Sequence, residues 1–211
     1  MKHITFYLDF ISPYAYLAFE KLPQTLEGLS YSVRYKPLLL GALLRHHGNV
    51  APAQVVPKRE WTYRHVLWLG RVNGIPIEMP ASHPYSPLPH LRLALATSRD
   101  GDVSRYVAET IFREIWRGGG EAVSAERLSA LAAQLSVVRE ATGEEVKAQL
   151  KANTDAAAAA GVFGTPTFEF EGKLFWGFDS LPMLRACLDG DPWFGGPQWT
   201  DAASRPSSLH S

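Results

Sequence analysis

Ser12-Pro13-Tyr14-Ala15 decides how this chain is read. An alternating stretch precedes it, Ile4-Thr5-Phe6-Tyr7-Leu8-Asp9-Phe10, and a helix-like run from Tyr16 to Leu26 follows. Alternation of apolar and polar residues predicts a half-buried strand, and a serine followed by proline suits the first turn of a helix. Far downstream, Gly164-Thr165-Pro166-Thr167-Phe168 sets another proline immediately before a second strand pattern. The segments around these two prolines bound everything else.

Outward from Ser12, Tyr31 to Lys36 alternates as a second strand, which Pro37 ends. Strand signals then largely vanish up to about Ala160. Gly41–His47 reads as a short helix closed by Gly48, and Val50–Val56 as a loop. Lys58–Gly74 has helical spacing, with Trp61, His65, Trp68 and Val72 near one face. A tryptophan pair at that spacing predicts core packing. Gly74–Pro89 is a proline-rich connection, and Gly118-Gly119-Gly120 is a break. Leu91–Ser98, Ser104–Trp116, Ser124–Leu135 and Glu144–Ala160 fit helices, with Ser104 and Ser124 as N-caps. Strand patterns return at Thr167–Phe170 and Leu174–Trp176. Glu171-Gly172 makes them a hairpin, because glycine stands second in the turn. Asp179 or Ser180 then caps a last helix through Leu188. The final ten residues have the composition of a disordered tail.

Composition narrows the function classes. The chain has 211 residues, enough for a sizeable core, and 21 basic residues against 21 acidic ones. A balanced charge recommends neither nucleic acid nor an anionic membrane as partner. No apolar run reaches transmembrane length, and the first strand begins too early for a signal peptide. Cys187 is the sole cysteine, so no intrachain disulfide forms, and a cytoplasmic location is expected. Its apolar surroundings suggest a buried, inert thiol. His46-His47 and His83 through His90 do not have zinc-ligand spacing, and no metal site is assigned.

The first strand and helix occupy the place where a thioredoxin-like redox protein carries C-P-x-C. Both cysteines are missing. If the Ser12 and Pro166 segments meet, the site can hold a thiol but cannot supply one. That points to a bound thiol cofactor, glutathione, and argues against dithiol exchange, which needs an attacking thiolate of its own. A free thiol titrates near 8.5. A helix N-terminus favours an adjacent anion by roughly 0.3–1 kcal/mol, up to about 2 when partly buried. A hydrogen bond to a charged group adds roughly 1.5–3 kcal/mol. Together they can lower a bound thiol's pKa by on the order of 1–3 units. Ser12 lacks a neighbouring base and is assigned to stabilising a thiolate rather than to covalent attack. Simpler readings stay open: Ser12 as only a cap, Pro166 as an ordinary trans proline, Asn49 as a turn residue and Asp179 as a helix cap.

Taken in order, β-α-β, a helical insert and β-β-α describe an α/β chain: a thioredoxin-like domain formed by residues 1–37 and 161–190, a helical insertion at 38–160, and a tail at 191–211. The chain resembles the 2-hydroxychromene-2-carboxylate isomerases, members of the DsbA-like thioredoxin superfamily, and the related kappa-class glutathione transferases. The resemblance rests on Asp9 to Tyr16, Lys36 to Gly41, His47-Gly48-Asn49, Gly161 to Phe168 and Trp176 to Asp179. It implies that Ser12 hydrogen-bonds the glutathione sulfur and that Asn49 lies near the glycyl end. Thr165, before a cis Pro166, would pair through its backbone with the cysteinyl moiety. Phe178 and Asp179 would bind the γ-glutamyl group. It also implies a homodimer and a small aromatic or enone substrate. Ser180, where many relatives have arginine, and Ser86, where many have asparagine, depart from the pattern. Three functions follow: a glutathione-dependent cis–trans isomerase in aromatic catabolism, a kappa-type transferase or peroxidase, or a non-catalytic glutathione-binding protein.

Overall fold

The computed structural model describes residues 1–205. The opening alternation forms β1 (Lys2–Leu8), with Ile4, Phe6 and Leu8 buried. Asp9 and Phe10, expected in the strand, lie beyond it. Asp9 turns its carboxylate back to the amides of Ile11 and Leu40 instead of continuing the ladder. Helix α1 (Pro13–Thr25) crosses over to β2 (Tyr31–Pro37), which runs parallel to β1 with Phe6 opposite Tyr35.

Six helices follow: α2 (Leu40–His46), α3 (Val56–Asn73), α4 (Leu88–Ala96), α5 (Arg105–Trp116), α6 (Ala125–Gln134) and α7 (Glu144–Ala159). α3 and α4 begin earlier than their periodicity predicts. Each takes a proline into its first turn, where no amide proton is needed. Ser104 and Ser124 cap as expected, accepting from the Val107 and Arg127 amides at 3.2 Å.

β3 (Thr167–Phe170) and β4 (Lys173–Trp176) form the hairpin. Glu171 and Gly172 have φ of 51° and 76°, the two left-handed residues of a type I′ turn. β3 lies antiparallel against β1, placing Phe168 opposite Phe6, so the sheet order is β2-β1-β3-β4. α8 (Leu181–Asp189) follows a short 3-10 turn at Phe178–Ser180. Neither Asp179 nor Ser180 caps α8 through its side chain; the Ser180 hydroxyl donates back to the Gly177 carbonyl at 2.8 Å. The tail before the final ten residues is ordered. It forms α9 (Pro197–Ala202), and Phe194 and Trp199 pack on Phe175. Residues 206–211, within the expected disordered end, lie outside the described residues.

The faces of β1 separate two clusters. Ile4, Phe6 and Leu8 join a large core that reaches α1, α4, α5 and α8 without a break. Tyr7, on the opposite face, packs with Leu38, Leu43, Ala157 and Val162 under α2 and α7. The α3 stripe is the main departure from the sequence reading. Trp61 is 65% exposed and Trp68 is 55% exposed, so they are not core. α3 instead buries Val66 and Gly70. A Cβ on Gly70 would come within 2.5 Å of Ile77, so close approach selects that face. Among the described residues, no helix is long and apolar enough to cross a membrane.

Candidate functional site

The site forms where β1 gives way to α1. Ser12 has extended backbone and caps α1: its Oγ accepts from the Ala15 amide at 3.2 Å. The same hydroxyl donates to the Thr165 carbonyl at 3.2 Å, across 153 residues of chain. The two prolines that framed the sequence reading are thus brought together. The Thr165–Pro166 bond is cis, as is His83–Pro84. The Thr165 backbone is buried, and its side-chain Oγ1 is buried without a hydrogen-bond partner. A buried hydroxyl without a partner costs about 1–3 kcal/mol, so such a group needs an explanation.

Pro166 continues the cluster. Its carbonyl accepts from the Gly177 amide at 2.9 Å, which seats Phe178 and Asp179 beside it. Phe178 is half-buried against the core, whereas Asp179 is exposed. Asp179 lies within electrostatic reach of Tyr14, two residues after Ser12. Burial raises the Tyr14 phenol above its ordinary pKa, a hydrogen bond with Thr62 opposes this, and the Asp179 charge adds to it. Gly177 has φ of 97°, and a Cβ there would meet Asp179 Oδ1 at 2.4 Å. Asn49 stands apart. It is exposed after α2, and its amide donates to the Leu44 carbonyl at 2.8 Å. Its neighbour His47 reaches the Val162 carbonyl through Nε2 at 2.9 Å, tying the end of α2 to the loop before Thr165.

Several residues at the site gave no sequence signal of their role. Tyr14 Oη and His65 Nδ1 share a 2.9 Å hydrogen bond, and the His65 ring stacks between Trp61 and Trp68. A mainly apolar cavity of about 390 Å³ adjoins Thr62, lined also by Pro52, Pro57, Lys58 and Trp61. The loop from Asp9 to Ser12 is clamped from outside. Tyr85 and Trp116 donate to the Phe10 carbonyl at 2.9 and 3.0 Å, and His83 Nε2 donates to the Ile11 carbonyl at 2.9 Å. The Tyr63 hydroxyl holds His83 in turn. A polar residue closing a strand, such as Asp9, looks like any solvent-facing strand position, so its burial was not readable.

Cys187 is buried in α8, and burial raises its thiol pKa, the reverse of what a reactive thiolate requires. The polar groups at the Ser12 end are hydrogen-bond donors, acceptors and a carboxylate, with no sulfur nucleophile among them. Among the described residues, no group of three or more His, Cys, Asp or Glu side chains could hold a metal ion.

Comparison with known proteins agrees with this architecture. A family model described as the DSBA-like thioredoxin domain matches residues 3–189. The 2-hydroxychromene-2-carboxylate isomerase of Sphingobium xenophagum is 29% identical over 195 residues, covering 89% of this chain and 98% of that protein. Glutathione S-transferase kappa 2 of Caenorhabditis elegans is 26% identical over 215 residues, covering 93% and 95%. A solved 2-hydroxychromene-2-carboxylate isomerase matches with a TM-score of 0.74 at 22% identity, covering 97% of this chain and all of that one.

Proposed function

The chain belongs to the DSBA-like thioredoxin domain family, and on that premise we propose that it is a glutathione-dependent isomerase whose thiol is held at the Ser12 end of α1. The relatives named above are isomerases and a glutathione transferase, which supports an enzyme of this kind. The observation that carries the reading is the Ser12–Thr165 contact beside the unpartnered Thr165 Oγ1. It is a buried polar site without a thiol of its own, at the helix end where an anion is favoured.

The residues present fit glutathione. Ser12 and Thr165 suit its cysteinyl portion, with Pro166 setting the Thr165 backbone. Asp179, with Phe178 beside it, suits the γ-glutamyl ammonium; Asn49, exposed beyond α2 and apart from this cluster, is assigned to the glycyl end on the family resemblance. When bound, glutathione supplies a thiolate able to add reversibly to a conjugated carbon, so that a double bond becomes a rotatable single bond. Ser12 turns its hydroxyl from the Thr165 carbonyl towards the sulfur. That is an exchange, not a pure gain. A neutral bond of about 0.5–1.5 kcal/mol gives way to a charge-assisted one of about 1.5–3, leaving roughly 1 kcal/mol. The first helical turn, with Pro13 at its start and the Ala15 amide on Ser12 Oγ, keeps that oxygen in place during the exchange.

A specific observation favours a second reading, a kappa-type transferase or peroxidase. The cavity beside Thr62 is walled by Pro52, Pro57 and Trp61, and a broad apolar pocket accepts varied electrophiles. The two readings part on whether glutathione is consumed stoichiometrically during turnover; a homodimer and a cytoplasmic setting suit either. Both begin with binding. Calorimetry with glutathione is expected to give a dissociation constant below about 1 mM, and no binding at about 10 mM overturns both readings.

A further inference from the structure

We propose that ionised Asp9 is a positioning residue of the thiol site, holding the Ser12 loop and the start of α2 in register by accepting one backbone amide from each. The inference rests on the glutathione reading of that site. Asp9 is completely buried. Its Oδ1 accepts from the Ile11 amide at 3.2 Å, in the loop that delivers Ser12. Its Oδ2 accepts from the Leu40 amide at 2.8 Å, at the first residue of the helix that leads to Asn49. Each oxygen therefore serves one arm of the proposed cradle.

Only the carboxylate can serve both. In the neutral acid one oxygen carries a proton and becomes a poor acceptor. In an asparagine one oxygen is replaced by an NH2, which would face an N–H, donor against donor. Protonation or Asp9→Asn thus releases one of the two arms, while the side chain keeps its shape.

The surroundings make this charge costly. No basic side chain is among the groups acting on Asp9, and burial pushes its carboxyl up to about 7 against the opposing pull of backbone amides. The titratable groups packed on the same loops are Tyr85 and His83, while Arg45, His46 and His47 stand at the far end of α2. Burial raises Tyr85 well above its ordinary value and lowers His83, so neither gains charge as the pH rises through neutrality. Trp116 of α5 on the Phe10 carbonyl and Thr154 of α7 on the Leu39 amide carry no charge. The linkage sign follows. Asp9 titrates higher in the folded chain than in the unfolded one, so its contribution to stability is full below the ordinary carboxylate range and is lost as the pH rises through about 7.

The test compares wild type with Asp9→Asn at pH 6 and pH 8. The probes are glutathione and S-methylglutathione, which has no thiol proton to confuse the count. Wild-type affinity for S-methylglutathione is expected to rise several-fold from pH 6 to 8. Asp9→Asn is expected to bind about tenfold more weakly at pH 8, to show a flat profile, and to melt no lower than wild type there. A variant with wild-type affinity and profile overturns the inference. So does a variant that melts lower and whose weakened binding keeps the wild-type pH profile, since that is a purely structural role. If Asp9→Asn does not fold, the wild type decides. Calorimetry of S-methylglutathione in buffers of different ionisation enthalpy should show proton release at pH 6.5 that fades by pH 8; no proton exchange overturns the inference. Failure of wild type to bind glutathione at either pH overturns the thiol-cofactor reading instead, and the Asp9 role falls with it.

Discussion

The two ends of the sheet differ in what they bury. At one end, Met1 to Thr5, Arg34 and Glu169 to Glu171 surround the larger cavity, about 410 Å³. At the other, β1 and β2 finish and β3 begins, and Asp9, Ser12, Thr165 and Thr167 are all buried. The first end has room and charge but its polar groups are in water. The second spends backbone and side-chain bonds on a few dry positions, including a Thr165 hydroxyl that nothing satisfies. Convergent, desolvated polar groups, rather than volume, are what set the Ser12 end apart. Ligands in open α/β sheets gather beyond the carboxyl ends of parallel strands, which is the Ser12 end.

The largest expected effect strikes both ends alike and so tests whether the comparison stands on one scaffold. Phe6 lies between Tyr35 and Phe168, with the Phe168 ring 4.6 Å away between centroids. Phe6→Ala should cost about 3–5 kcal/mol in denaturant unfolding, as buried aromatic truncations do. A cost within surface-substitution range would mean that the sheet is not the common support.

Ser12→Ala sharpens the comparison. Losing roughly 1 kcal/mol of thiolate stabilisation should slow turnover about 5- to 10-fold at neutral pH. Raising the pH should restore most of it, because the thiol then ionises without help. Ultraviolet titration of bound glutathione, with thermal melts alongside, separates the outcomes. A lowered melt with an unchanged thiol titration makes Ser12 a helix cap and nothing more.

The smallest effect belongs to the opposite end. Glu169→Gln and Glu171→Gln remove charge from the larger cavity, where Glu171 is exposed and Glu169 half-buried. Glutathione affinity by calorimetry should stay within about twofold, since surface charges this far from a ligand are screened. A drop comparable to that of Asp9→Asn would break the distinction between the two ends.

Much of this was readable along the chain, because local rules act locally. Period-2 alternation in Ile4 to Leu8 gave β1, serine caps gave α5 and α6, and glycine second in Glu171-Gly172 gave the hairpin. A helix-opening serine and a strand-opening proline each have a local signature, which marked the Ser12 and Pro166 segments; that they meet is shown by the Ser12–Thr165 hydrogen bond. What failed was the choice between faces. α3 carries an apolar stripe through Trp61 and Trp68, yet the chain covers the stripe with Val66 and Gly70. Periodicity shows that a stripe exists; only the neighbour's shape, here Ile77 against Gly70, decides which one is buried.

The sequence by itself determined the order of the main elements, the lack of a thiol where a dithiol motif would stand, and the local character of the Ser12 and Pro166 segments. Each follows from backbone propensity, capping or the absence of a residue type, none of which needs a partner. The tertiary structure alone decided that Asp9 is dry and shared between two loops, that Thr165 Oγ1 is unsatisfied, and that Asn49 remains exposed beyond α2. Burial and electrostatics depend on what packs from elsewhere in the chain. A carboxylate that would be an ordinary solvated group on an isolated strand is pushed up to about 7 by burial, against the pull of the Leu40 amide at the start of α2.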